Sequence, residues 1–144
     1  MDQAFEYVKD NKGIDTEASY PYQAEDETCQ FKRKSVGATV VSWVDIASGN
    51  ETALQVATAN VGPISVAIDV TGWEFLFYTD GVYIGDSCTT YSLNHGMTVV
   101  GYDALDGLAY WTVKNSWGED WGKQGYILMA RNHSNNCGIS SKAS

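Results

Sequence analysis

The feature that most constrains this fold is a change in hydrophobic periodicity halfway along the chain. Beyond residue 62, four short segments rich in Val, Ile, Tyr and Trp follow one another, at 64–68, 97–102, 109–113 and 125–129. Glycine and aspartate turns separate them, as they separate antiparallel strands in barrels and sandwiches. The second half is therefore predicted to be a β-rich module.

Helical periodicity is confined to two segments of the first half. Met1, Ala4, Phe5 and Val8 form an apolar helical face. No capping residue precedes this face, which predicts that the chain is cut at or just before a helix. A second helix is predicted from Asn50, a capping residue, to the Gly-Pro pair at 62–63, and the aperiodic stretch 19–37 is predicted to be an extended loop.

The charge of the chain excludes several classes of function. Its 144 residues include 18 acidic and 9 basic side chains, a net charge of −9. Nucleic acids and anionic membranes bind basic clusters, so we expect neither as a partner. No apolar run approaches the ~20 residues of a membrane helix, and the N-terminus lacks the basic and apolar regions of a signal peptide. We expect no metal site and no cofactor.

The cysteine count and two short motifs depend on the cellular compartment. Cys29, Cys88 and Cys137 could form one bridge and one thiol in an oxidising compartment, or three thiols in the cytosol. Asn50-Glu51-Thr52 and Asn132-His133-Ser134 fit the N-glycosylation acceptor pattern. They carry that meaning only in a secreted protein and are otherwise ordinary loop residues.

Two segments carry candidate catalytic chemistry. His95 stands at the mouth of a predicted strand beside Gly96, which lets another group approach the ring. Asn115 ends another strand 20 residues later, followed by Trp117 and Trp121 among glycines. Taken alone, a single histidine or a tryptophan-rich turn more often has a structural role than a catalytic one. Together they suit thiol–imidazole–amide catalysis, in which the histidine deprotonates a thiol, the asparagine orients the ring and indole shields their hydrogen bond from water.

These segments, with others in the same order, make the chain resemble the papain-like cysteine peptidases, most nearly those of the cathepsin L type. The motifs are Met1-Asp2-Gln3-Ala4-Phe5, Glu17-Ala18-Ser19-Tyr20-Pro21-Tyr22, Val61-Gly62-Pro63-Ile64-Ser65-Val66-Ala67-Ile68, Asn94-His95-Gly96, Lys114-Asn115-Ser116-Trp117-Gly118 and Asn136-Cys137-Gly138-Ile139. The resemblance implies an α+β, papain-like fold in which residues 1–42 are a remnant of the left helical domain. Residues 43–144 would then form the right antiparallel β-barrel domain with a C-terminal segment.

The resemblance also implies individual roles and a setting. His95 would be the base, Asn115 its orienting group and Trp117 their shield, while Cys88 and Cys137 would form a disulfide. The substrate-binding residues would be Met1, Ala67, Leu93, Asn94, Gly96 and Lys142. Lys142 stands where selectivity for the second substrate side chain is often set. Such enzymes are made as secreted zymogens for lysosomal or extracellular use; peptide and protein substrates, the enzyme's own propeptide and the missing N-terminal segment are the expected partners.

The catalytic cysteine of the family is not among these 144 residues. It lies about 130 to 150 residues before the histidine and asparagine, so we expect it about 35 to 55 residues before Met1. Cys29, 66 residues before His95, lies in the wrong kind of segment and resembles a left-domain disulfide cysteine whose partner is also missing. We therefore expect the C-terminal two-thirds of an endopeptidase, inactive by itself.

Two other interpretations remain open. Ser92-Leu93-Asn94-His95 also resembles the silicateins, sponge relatives that carry serine in place of the catalytic cysteine and condense silica. A naturally truncated, non-catalytic binding module is the third interpretation. The residue at the missing nucleophile position distinguishes the first two.

Overall fold

A computed structural model describes all of residues 1–144. It divides the chain into two compact units, Met1–Val44 and Asp45–Ser144. The domain limits predicted from the family resemblance, 1–42 and 43–144, stay a prediction. No helix in the structure is long and apolar enough to cross a membrane.

The first unit consists of one helix and a small ribbon. Helix α1 (Asp2–Asp10) is the predicted N-terminal helix, and strands β1 (Ile14–Asp15) and β2 (Val36–Ala38) pair antiparallel. A 3-10 turn, Arg33–Ser35, leads into β2. Gly13 lies between the end of α1 and β1 at φ 145°, where an added Cβ would clash with a methyl carbon of Val36. Only glycine fits this approach.

The second unit is built on one sheet, flanked by helix α2 (Glu51–Asn60). The remaining elements, in chain order, are β3 (Ile64–Ile68), α3 (Trp73–Leu76), β4 (Val82–Tyr83), β5 (His95–Leu105), β6 (Leu108–Lys114), β7 (Tyr126–Ala130), a 3-10 turn (Asn136–Gly138) and β8 (Lys142–Ala143). The strand order is β4-β7-β6-β5-β3-β8. Strands β3, β5, β6 and β7 are the four predicted segments. One pair, β4 with β7, is parallel, which departs from the antiparallel arrangement expected.

A tight hairpin sets the register of the central strands. Asp106 (φ 50°) and Gly107 (φ 83°) connect β5 to β6, both with the positive φ of a type I′ turn. The resulting pairing, with a bulge between Val99 and Gly101, places Thr98 opposite Lys114. The residue after β6 therefore lies beside the beginning of β5.

The core lies between this sheet and the elements that cover it. Its largest fully buried apolar side chains are Trp111, Phe75, Leu54, Ile68, Ile127, Met129 and Ile139. Burial of an aliphatic or aromatic side chain of this size contributes roughly 1.5–3 kcal/mol. The Trp111 indole nitrogen donates to Glu51 Oε2 at 3.0 Å, so its one polar atom is satisfied.

A disulfide between Cys88 and Cys137, with Cα atoms 5.0 Å apart, confirms the pairing implied by the family. It links residues 49 apart, and closure of a loop of that length stabilises a fold by a few kcal/mol. Cys29 is a free, exposed thiol in the first unit.

A buried carboxylate joins the end of β3 to the segment that follows Cys88. Asp69, 1% exposed, accepts hydrogen bonds from the Thr71 and Thr89 amides at 2.9 and 2.7 Å and from both threonine hydroxyls. Burial alone would raise the pKa of Asp69, but these hydrogen bonds outweigh it and lower the pKa to about 2.

We predict that Asp69 stabilises the fold at neutral pH and loses this effect in acid. Because its pKa is lower in the folded chain, the contribution is fully present above about pH 4 and is lost as the pH falls through about 2. Asp69→Asn should therefore lower the free energy of unfolding at pH 6 by about 1 to 2 kcal/mol, a value reduced because Thr71 lies near solvent.

Urea unfolding of the disulfide-bonded chain at several pH values between 6 and 2 measures this effect. The variant should show a weaker fall in stability below pH 4 than the original chain. The exposed Asp103→Asn is the matched control and should behave like the original chain. Equal pH dependence in Asp69→Asn and Asp103→Asn would contradict the prediction.

Candidate active site

The structure brings His95 and Asn115 together. His95 is the first residue of β5, and Asn115 directly follows β6, so the hairpin register places the two side chains side by side. His95 Nε2 lies 2.9 Å from Asn115 Oδ1. Asn115 is 7% exposed, so little water competes for this hydrogen bond.

A second hydrogen bond fixes the direction of the first. The backbone N–H of Ser116 donates to Asn115 Oδ1 at 2.8 Å, which identifies that atom as the oxygen of the amide. An amide oxygen only accepts, so His95 Nε2 must carry the proton. In the neutral ring Nδ1 then keeps its lone pair and can act as a base.

Aromatic rings surround this pair. The Trp117 ring lies 5.1 Å from the His95 ring, and Phe75 lies 6.3 Å away with an edge-to-face geometry. Trp121 packs against both Trp117 and Phe75 at 5.2 Å. Trp117 remains 40% exposed, so it has one face towards solvent. Such packing excludes water from the side of the imidazole that it covers.

The loop that carries the tryptophans is closed on itself. The backbone N–H of Asn115 donates to the Gly125 carbonyl at 2.9 Å. Gly122 has φ 59°, and an added Cβ would lie 2.5 Å from the Tyr126 carbonyl oxygen. The Trp121 indole nitrogen donates to the Leu76 carbonyl at 3.1 Å, which ties the loop to the end of α3.

Asn94 holds the backbone immediately before His95. Its side-chain Oδ1 accepts from the backbone N–H of Val70 at 2.9 Å, and its backbone N–H donates to the Ile68 carbonyl at 3.0 Å. Its Nδ2 lies 3.2 Å from Thr71 Oγ1 and 3.4 Å from Asp69 Oδ1. Asn94, expected to contact substrate, is thus engaged with the end of β3.

Asp69 was not among the predicted site residues, although it supports Asn94. A sequence signal for it does exist. Asp69 directly follows a strand and precedes Thr71 by two positions, the spacing at which an aspartate accepts from the backbone in an Asx turn.

Three predicted substrate-binding residues lie in one row across the sheet. Ala67 in β3 pairs with Gly96 in β5 on one side and with Lys142 in β8 on the other. Leu93 is half-buried, and a Cβ added at Gly138 would lie 2.6 Å from its Cδ2. Met1, also predicted, precedes α1 in the first unit.

The second unit contains no free thiol, because its two cysteines are bonded to each other. In the first unit Cys29 Sγ lies 3.3 Å from the Tyr7 hydroxyl, and this hydrogen bond lowers the pKa of the Cys29 thiol. A pocket of about 800 Å³ there is lined by Cys29 with aromatic and acidic side chains and includes no histidine. No cluster of three or more His, Cys, Asp or Glu side chains could hold a metal ion.

Comparison with known proteins gives consistent results. The profile of the papain family cysteine proteases matches residues 1–144. A cathepsin L-like peptidase of Aedes aegypti is 54% identical over all of this chain and 43% of its own length, and cathepsin S of Mus musculus is 51% identical over 42% of its length. The chain thus spans less than half the length of these curated relatives.

The structural comparison agrees with the sequence comparison. Digestive procathepsin L 3 of Tenebrio molitor larval midgut superimposes with a TM-score of 0.93 and 43% identity. The superposition covers 99% of this chain and 46% of that one. With a family match over every residue and this agreement in fold, the chain belongs to the papain family of cysteine proteases.

Proposed function

We propose that these residues supply the base and its orienting group to a cathepsin L-like cysteine endopeptidase. The observation that carries this proposal is the His95–Asn115 hydrogen bond at 2.9 Å, which leaves Nδ1 with its lone pair. The nucleophilic thiol would come from residues outside the 144, because Cys88 and Cys137 are bonded to each other and the free thiol of Cys29 lies in a pocket without a histidine.

The arrangement suits acyl transfer. Nδ1 of His95 would take the proton of the thiol, and the thiolate would attack the carbonyl carbon of the scissile peptide bond. The imidazolium would then give that proton to the leaving amine, and water would hydrolyse the thioester. Asn115 would keep the ring in one orientation through both proton transfers, and Trp117 would shield their hydrogen bond.

Partners and location follow from the same proposal. Peptide and protein substrates, together with a propeptide, are the partners that a procathepsin-like fold supports. The disulfide suits an oxidising compartment, which agrees with a lysosomal or extracellular location. The match to the papain family of cysteine proteases favours cysteine over serine as the nucleophile.

Substitutions in the longer gene product that contains these residues test the proposal. His95→Ala should lower kcat/KM for a peptide substrate by about 10³-fold or more, because the thiol loses its base. Asn115→Ala should lower it by about 10- to 100-fold, because the ring keeps its base but loses its orienting partner. The purified 144-residue chain should show no turnover.

The other histidine provides the control. His133 is exposed, and His133→Ala should leave kcat/KM unchanged. Full activity of His95→Ala, or alkylator-sensitive turnover by the 144-residue chain, would disprove the proposed role. A serine at the nucleophile position of the longer product would favour the silicatein interpretation.

Lys142 provides a prediction about selectivity. The backbone pairing of Lys142 with Ala67, which pairs with Gly96 on its other side, supports a position of this lysine beside the proposed pocket for the second substrate side chain. Since exposed ion pairs are weak, Lys142→Ala should reduce the preference for Glu over Leu at that substrate position by about 2- to 5-fold.

A peptide library cleaved by the longer product and by its variants measures this preference. Lys34→Ala, a surface lysine of the first unit, is the control. An unchanged Glu to Leu ratio in Lys142→Ala would show that the Lys142 charge does not select substrates.

A further inference from the structure

Two N-glycosylation acceptor triplets lie next to each other in the fold. Asn50-Glu51-Thr52 begins helix α2, and Asn132-His133-Ser134 follows strand β7. Glu51 Oε2 accepts from the backbone N–H of Asn132 at 2.8 Å, and its Oε1 accepts from that of Asn135 at 3.2 Å. Glu51 therefore holds the second triplet against the first turn of α2.

The second triplet is open to solvent and lies outside any helix or strand. Asn132, His133 and Ser134 are all exposed. Asn132 and Ser134 have φ values of 58° and 51°, so the backbone there is an irregular bend. Unlike its backbone N–H, the Asn132 side chain makes no hydrogen bond, so its amide nitrogen is available to another molecule.

Asn50 and Thr52 of the first triplet are also exposed, but this triplet enters a helix and its asparagine side chain is hydrogen-bonded. Asn50 Oδ1 accepts from the Ala53 amide at 2.9 Å and caps α2. Glu51 and Thr52 already lie in the first helical turn. Attachment of a glycan to Asn50 would break this cap and disturb the helical turn that follows it, so Asn50 serves here as the comparison site.

The sheet places Asn132 far from His95. Ala130, at the end of β7, pairs with Tyr110 near the start of β6, whereas Asn115 follows the other end of β6. The five residue-to-residue steps from Tyr110 to Asn115 span about 16 Å of extended strand. A large group on Asn132 would therefore extend from the end of the sheet opposite the candidate active site.

We propose that Asn132 carries an Asn-linked oligosaccharide. Its Nδ2 would displace the lipid pyrophosphate from the anomeric carbon of a lipid-pyrophosphate-linked oligosaccharide: the carbon–oxygen bond breaks, the carbon–nitrogen bond forms, the lipid pyrophosphate leaves, and the amide nitrogen releases one proton to solvent. The inference rests on the secretory location that belongs to the proposed function, since such donors meet proteins in that pathway.

To test this, the longer gene product is secreted from eukaryotic cells, and its mass is measured before and after enzymatic removal of Asn-linked glycans. Asn132→Gly removes the acceptor and accepts φ 58° without strain. Ser134→Ala removes the hydroxyl of the motif and keeps Asn132. Each should eliminate one glycan, whereas His133→Ala, which preserves the motif, should retain it.

The peptidase activity of the Asn132→Gly variant is an independent measurement. Because the glycan would lie away from His95, Asn132→Gly should cleave a short peptide as fast as the original protein. A secreted, active protein with the Cys88–Cys137 bond formed and the same glycan content in Asn132→Gly would overturn this inference and leave the proposed function standing. A glycan on Asn132 in a protein without peptidase activity would support this inference and contradict the proposed function.

Discussion

The register between β5 and β6 is the constraint on which the site depends. His95 begins β5 and Asn115 follows β6, so their side chains meet only if the hairpin pairs Thr98 with Lys114. A slip of one residue would turn every side chain of one strand to the opposite face. The positive φ values of Asp106 and Gly107 and the bulge before Gly101 fix this register. The geometry of the candidate site is thus a consequence of strand pairing.

Two carboxylates organise the loops around this sheet. Asp69 binds the segments that carry Thr71 and Thr89, and Glu51 binds the Trp111 indole and the backbone after β7. In both cases an ionisable acceptor satisfies several donors that would otherwise lack partners near the core. A carboxylate suits both positions, since its two oxygens can accept hydrogen bonds from several donors at once.

Much of this arrangement could be predicted from the sequence, for identifiable reasons. The long strands carry continuous β-branched and aromatic runs, and α1 and α2 carry helical periodicity, so these elements are predicted correctly. Strands β4 and β8 have two residues each and α3 has four, which is too short for any period to be detected. The existence of β4 and β8 depends on tertiary pairing with β7 and β3, respectively.

The candidate site also contains residues that could be predicted from the sequence and residues that could not. His95 and Asn115 could be paired because their order and their neighbouring glycines and tryptophans match a known chemistry. The sequence indicates an Asx turn at Asp69 but not its second contact. The stabilising effect of Asp69 also depends on a hydrogen bond from the backbone N–H of Thr89, which is 20 residues away in the chain and 2.7 Å from the Asp69 carboxylate. Glu51 reads as an ordinary first-turn acid of α2, and only the fold shows that Trp111 donates to it from 60 residues away.

The position of the proton on the His95 ring tests most directly whether Asn115 prepares His95 to act as a base. Long-range ¹H–¹⁵N correlation spectra of the chain, at a pH where the ring is neutral, report which nitrogen carries the proton, and His133 serves as the exposed reference. We expect His95 to be a single tautomer with the proton on Nε2, and Asn115→Ala to remove that preference. A proton on Nδ1, or a tautomer mixture like that of His133, would contradict the claim that Asn115 prepares His95 to act as a base.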